Sequence, residues 1–309
     1  MAVTAAQVKE LRELSGAGMS DCKNALVESG GDVKRAMELL REKGLSAAAK
    51  KAGRVAAEGL VMVALTDDRK AGAIVEINSE TDFVAKNEDF VNFVKGMAKH
   101  ALHNKAETVD ELLDQKCAID PTQTARDLLT NKIATIGENI GLRRFERYEA
   151  GADSVIVEYI HGGGRIGAML EITAGTINDA VLEAGRNVCM QIASMSPQFI
   201  SREDMSAEEL ANEKNVLLQQ ALNENKEADK PKPENVIEKM VEGRLGKYLK
   251  EICLVDQEYV KDGEFTVGSY LKSVGADVAV KRFVRFEKGE GIEKKEENFA
   301  DEVAKAING

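Results

Sequence analysis

Tryptophan is absent from this sequence, and aromatic residues make up only 5% of it, which leaves few of the stacking surfaces that carbohydrate and nucleobase sites use. Cysteine is scarce and scattered. Cys22, Cys117, Cys189 and Cys253 include no Cys-x-x-Cys pair, so neither a disulfide framework nor a zinc cage is indicated, and a reducing cytosol fits. No run of eighteen apolar residues occurs, which predicts a soluble protein. The first residues, Met-Ala-Val-Thr-Ala-Ala-Gln-Val, lack the apolar stretch of a signal peptide and the arginines of a transit peptide, so a cytoplasmic location is expected. Positive charge is also in deficit: 42 basic residues against 53 acidic ones leave a net charge of -11. That balance argues against nucleic acid or an anionic membrane as the main partner, and for a basic or mixed protein surface.

Catalytic constellations are missing as well. There is no Gly-x-x-x-x-Gly-Lys phosphate cradle. Gly162 to Gly167 matches Gly-x-Gly-x-x-Gly, but between two expected strands instead of at the opening of a helix, so the dinucleotide context is absent. Ser20 to Lys23 and Ser269 to Lys272 both match Ser-x-x-Lys without companion motifs. His161-Gly162-Gly163-Gly164 resembles an esterase oxyanion loop, yet no nucleophile elbow accompanies it, and a flexible hairpin tip explains it better. His100 and His103 have no third ligand in view and are expected to be solvated. The expectation is a protein without bond chemistry, cofactor or metal.

At 309 residues the chain can bury a substantial core in two or more domains. Ala5 to Leu14, Ser20 to Ser29 and Asp32 to Lys43 read as three short helices, stopped by Gly16, Gly18, Gly30 and Gly31. They look like a ubiquitin-associated type module spanning residues 1–44. Arg12, Met19 and Lys23 are its exposed candidates for partner contact; on the residues alone, Met19 as a loop plug and the two cations as a solvated face is the favoured reading. Residues 45–58, rich in alanine and lysine, read as a helical connector.

A repeat follows. Gly59 to Ala101 aligns without a gap on Ser154 to Ser196, a shift of 154 - 59 = 95. Each copy reads strand, turn, strand, helix, with Gly141 to Glu149 and Ala279 to Glu287 as third strands. The fold class is therefore α+β: a three-helix module, then two related subdomains with small antiparallel sheets and helices, at 59–150 and at 151–200 with 254–289. Apolar stripes within 201–253, broken by Asn225 to Pro233, predict an inserted antiparallel helical hairpin. Residues 290–309 are expected to form a C-terminal module with a short helix at Asn298 to Ile307.

The copies differ most just past the second strand. In the first, Ala73, Val75 and Ile77 alternate with Ile74 and Glu76 as in a half-buried strand, and Thr81-Asp82 then suits the cap of a helix from Val84 to about His100. Phe83 falls at that corner, where a large aromatic either closes its own core or projects toward a partner. The second copy has Ile177-Asn178 instead.

Thr81-Asp82-Phe83-Val84-Ala85-Lys86-Asn87 resembles the signature of the translation elongation factor Ts family, guanine nucleotide exchange factors of elongation factor Tu. Val8 to Arg12, Ser15 to Met19, Asp21 to Lys23, Ile136 to Asn139, His161 with Arg165 to Gly167, Lys239 to Arg244 and Arg285 to Glu287 also fall in family order, so the resemblance covers essentially the whole chain. It implies that Thr81, Asp82, Phe83 and Val84 intrude near the magnesium site of Tu, helped by Arg12, Met19 and Lys23. It also implies that His161, Gly162 and Arg165 meet another part of Tu, in its GDP-bound and nucleotide-free forms, and it allows a homodimer within a heterotetramer. The competing expectation is an adaptor that binds through the N-terminal module without changing nucleotide off-rates; an enzyme ranks third.

Overall fold

A computed structural model of the chain describes residues 3–227 and 230–293; the tail helix expected at Asn298 to Ile307 lies outside the described residues. Three helices open the chain, α1 (Ala5–Ser15), α2 (Met19–Glu28) and α3 (Val33–Lys51), around Val8, Leu11, Cys22, Ala25, Leu26 and Ala36. A Thr4/Gln7 capping box starts α1, Gly16 at φ 67° ends it, and Asp32 caps α3. Past Lys43 nothing stops the third helix, because Ala47 to Lys51 are strong helix formers. It runs on to Lys51, so the first part of the expected connector belongs to it.

The first sheet pairs β1 (Glu58–Leu65) with β2 (Ala71–Ser79) and β2 with β3 (Gly141–Glu149), all antiparallel. Between β2 and β3 come α4 (Asp82–Ala85), α5 (Glu88–His103), α6 (Val109–Asp114) and α7 (Ala125–Ile136). The second sheet is β4 (Ser154–His161), β5 (Ile166–Thr173) and β6 (Ala279–Glu287) in that order. Between β5 and β6 lie α8 (Asp179–Met195), α9 (Ala207–Glu227), α10 (Glu234–Ile252) and α11 (Val267–Val274). This is the mixed helix and sheet class that the sequence predicts.

The repeat holds to the level of register. Gly59 faces Asn78, and 95 residues on Ser154 faces Thr173; the second pairing slips at Glu76/Ile77 in one sheet and at Glu171/Ile172 in the other. It also extends further than the alignment shows. Cys117 N–H donates to the Gln123 carbonyl as Tyr259 N–H does to Phe265, and Thr124 and Thr266 then cap α7 and α11. The hairpin α9–α10 consequently occupies the place that α6 has in the first copy. Its inner stripe is Leu217, Ala221, Ile237, Val241, Leu245 and Leu249, and Arg244 forks onto Glu224.

One face of each sheet carries that copy's helices. Ala73, Val75 and Ile77 pack with Phe90, Val94 and Met97 of α5, and Ala168, Leu170 and Ile172 pack with Val181, Val188 and Ile192 of α8. The other faces meet each other through Val61, Ile74 and Tyr148 of one copy and Ile156, Met169 and Phe286 of its partner. β2 is therefore not half-buried as its alternation suggests: the second sheet covers its other face, and Glu76 is 0% exposed.

Both buried glutamates are fully paired. Glu76 accepts from Arg143, from Arg144 Nε at 2.6 Å, from Asn78 and from the Gly289 N–H at 2.8 Å. Its counterpart Glu171 accepts from Lys281, from Arg282 Nε at 2.7 Å and from the Gly151 N–H. In each case the backbone donor comes from the segment just after the other copy's third strand. Burial alone would raise the Glu171 carboxyl, but the Gly151 N–H and its cations outweigh it and hold it at about 2.

Candidate functional site

The corner begins where β2 ends. Thr81, in extended conformation, accepts the Val84 N–H on its hydroxyl at 3.3 Å and so caps α4, a single turn. Asp82 is not a cap: it lies in that turn and takes Lys86 Nζ at 2.6 Å. The single helix expected from Val84 to about His100 is two helices. Asn87 breaks the chain after Lys86 and caps α5 through the Asp89 and Phe90 N–H groups, reinforced by Glu88 and Asp89 in the first turn. In the second copy Asn178, aligned with Phe83, caps α8 directly, and Ile177 folds against the core.

Splitting the helix leaves Phe83 on an exposed turn. Ala85 is buried and Val84 packs on the first core, whereas Phe83 is 80% exposed. The ring is therefore not a core plug, and the chain leading into its turn is held in place. Glu138, in the turn after α7, accepts the Glu80 N–H at 3.1 Å, the Thr81 N–H at 3.0 Å and the Thr81 hydroxyl at 2.6 Å. Glu80 in turn accepts the Asn139 N–H at 2.6 Å. Glu138 had no part in the sequence-derived site, although Ile136 to Asn139 stands in the family pattern.

Charged groups share the turn that carries the ring. The Lys86 hydrogen bond holds the Asp82 carboxyl below its ordinary value, and the charge of Lys288 adds to it; Asp82 holds Lys86 above its own. Lys288 pairs with Glu58, and the neighbouring Glu287 takes Arg165 at 3.3 Å and Arg285 at 2.7 Å. A hollow of ≈ 490 Å³ lined by Glu58, Arg165, Glu287 and Lys288 joins these groups. Lys288, which lines this hollow with Arg165, is also the cation of the second copy whose charge reaches Asp82.

His161 lies exposed at the end of β4, with Nδ1 3.0 Å from the Tyr159 hydroxyl. The glycines after it are not a loose tip. Gly162, Gly163 and Gly164 take φ of 58°, 65° and 102°, and the Gly164 carbonyl accepts the Val61 N–H at 2.8 Å, so the turn is anchored to β1. A side chain at Gly164 would run into Leu60 and the Val61 carbonyl. Arg12 is exposed at the end of α1; Met19 and Lys23 are exposed one turn apart on α2, with Met19 at 51% and so not a loop plug. The module bearing them rests on α7 through Arg41 to Asp127 at 2.6 Å and through Gly44 beside Thr130 and Ala134. A hollow of ≈ 630 Å³ beside that contact includes none of the expected site residues.

His100 departs from expectation. It is buried, with Nε2 2.9 Å from the Leu112 carbonyl and Nδ1 receiving the Ala118 N–H at 3.3 Å, because it ties α6 and the loop after it to α5. His103 is exposed. Among the described residues no group of His, Cys, Asp or Glu could hold a metal, and no helix is long and apolar enough to cross a membrane.

The family model described as Elongation factor TS matches residues 80–290. The chain is similar to Elongation factor Ts of Clostridium perfringens (strain SM101 / Type A), 52% identical over 98% of each chain. It is also similar to Elongation factor Ts of Clostridium botulinum (strain Eklund 17B / Type B), 51% identical over 99% of each, and to that of Clostridium kluyveri (strain ATCC 8527), 50% identical over 99% of each.

Proposed function

We propose that this chain, which belongs to the elongation factor Ts family, binds GDP-bound elongation factor Tu and speeds GDP release so that GTP can follow during polypeptide elongation in the cytoplasm. Asp82 and Phe83 act as the wedge at the magnesium and phosphate site, with Thr81 and Val84 as its base. Arg12, Met19 and Lys23 hold one further region of Tu, and His161, Gly162 and Arg165 another. No bond is made or broken by the chain itself.

The observation that carries the proposal is Phe83, a large aromatic 80% exposed on a backbone fixed by Thr81 and Glu138. A ring held out in this way gains when a partner covers it, because burying its apolar surface is favourable. A ring that inserts against partner helices withdraws ligands from magnesium and phosphate, and each ~1.4 kcal/mol removed from the barrier speeds release about tenfold.

The test is release of a fluorescent GDP from purified Tu with and without the chain. Acceleration at substoichiometric amounts supports exchange. Binding to Tu with an unchanged GDP off-rate would favour the adaptor.

A further inference from the structure

We infer that Glu138 is the positioning residue of the exchange wedge: its carboxylate fixes the backbone from which Phe83 projects. This rests on the exchange reading above. Three donors converge on one carboxylate, the Glu80 and Thr81 N–H groups on Oε2 and the Thr81 hydroxyl on Oε1. Charge-assisted bonds of this kind are the stronger class.

The Thr81 hydroxyl is used twice. It donates to Glu138 and accepts the Val84 N–H, so Glu138 orients the hydroxyl that caps the one turn holding Asp82 and Phe83. A single turn has almost no stability of its own. The brace is reciprocal: Glu80 returns a bond from the Asn139 N–H, and Arg54 lies 3.5 Å from Glu80 while its carbonyl accepts from the Asn139 side chain at 2.7 Å. Gly137, left-handed at φ 86°, turns the chain out of α7 and delivers Glu138 to the corner. None of these contacts involves Phe83 itself, whose ring stays free for a partner.

Glu138 therefore acts through geometry. Without it the wedge is still present but samples many orientations, and the entropy of ordering it falls on the transition state. Binding through Arg12, Lys23 and the His161 turn remains.

The test uses E138A, with E138Q as the conservative variant, since the amide oxygen still accepts the two N–H bonds. In the free chain, amide hydrogen exchange at Glu80, Thr81 and Val84 should rise at least tenfold in E138A, stay near native in E138Q, and be unchanged in α8. In GDP release from Tu, E138A should lower the saturating rate at least tenfold while the half-saturating concentration changes less than threefold, and E138Q should restore most of the rate. Native protection of the corner amides in E138A would overturn the inference, as would a native saturating rate or a loss confined to half-saturation. If the amides respond but the native chain never accelerates GDP release, the exchange reading fails and the brace stands.

Discussion

The guanidinium of Arg144 lies 4.2 Å from the ring centre of Phe286, and its repeat counterpart Arg282 lies 4.1 Å from that of Tyr148. Each arginine also bonds the buried glutamate of its own sheet, Glu76 or Glu171. Each copy thus clamps the other with the same set of groups. Replacing Phe286 by Ala removes a buried ring and a cation–π partner, and should cost about 3 to 5 kcal/mol. Phe286→Tyr, which places in the second copy the residue the first already uses, should cost less than ~1.5 kcal/mol. Chemical denaturation of the two variants checks both values, and a larger loss in the Tyr variant would contradict the equivalence.

Asp82→Ala with Phe83→Ala should abolish most acceleration of GDP release while shifting the melting temperature little, because Phe83 is 80% exposed. Truncating a buried Phe would cost about 3 to 5 kcal/mol. A fall in melting temperature of that scale would show the ring to be part of the core.

Acid should weaken the contact between the sheets. The folded Glu171 carboxyl, at about 2, lies below its ordinary 4.5, so the stabilisation is complete above pH 4.5 and disappears as pH falls from 4.5 to about 2. Linkage puts it on the order of 3 kcal/mol at neutral pH. Glu76 is shifted the same way. The stability difference between the native chain and Glu171→Gln should narrow across that interval, and a constant difference from pH 7 to pH 2.5 would be inconsistent with a paired carboxylate.

Gly243 and Gly246 sit inside α10 with open space where a Cβ would stand. Glycine there costs helix stability for no packing return, so each Gly→Ala change should stabilise the chain by roughly 0.5 to 1 kcal/mol. Destabilisation measured in denaturant would mean that a second surface approaches this face of the hairpin.

If the chain weakens GDP on Tu, GDP must weaken the chain on Tu by the same factor. Titrations with and without saturating GDP and magnesium should give that ratio, and it should shrink in the Asp82→Ala, Phe83→Ala variant. Equal affinities for the native chain would exclude exchange by this route.

Much of this architecture is legible in the residues. The alternation of Ala73, Val75 and Ile77, and its return 95 positions later, gives both sheets, because a one-residue change of register would turn every apolar side chain outward. Glu76 misleads for the same reason: a charge in an alternating strand reads as solvent-facing, and its burial depends on a second sheet and on Gly289, far along the chain. Asn87 followed by Glu88-Asp89 was a readable helix start that the continuous apolar pattern of Val84 to Ala98 obscured. The role of Glu138 is invisible locally, since its three donors lie 57 and 58 residues away. His100 likewise reads as a surface residue until α6 is placed over it.

The Gly289 N–H that completes Glu76 lies 213 residues downstream. On a translating ribosome the first sheet is made early, yet one of its buried charges lacks that backbone donor until almost the whole described chain has emerged. The clamp between the copies is thus a late event in biosynthesis. A chain truncated before Gly289 would hold a charge in an unfinished interior, so breaks in the message that remove only the last segment should yield products prone to degradation instead of shortened, folded proteins.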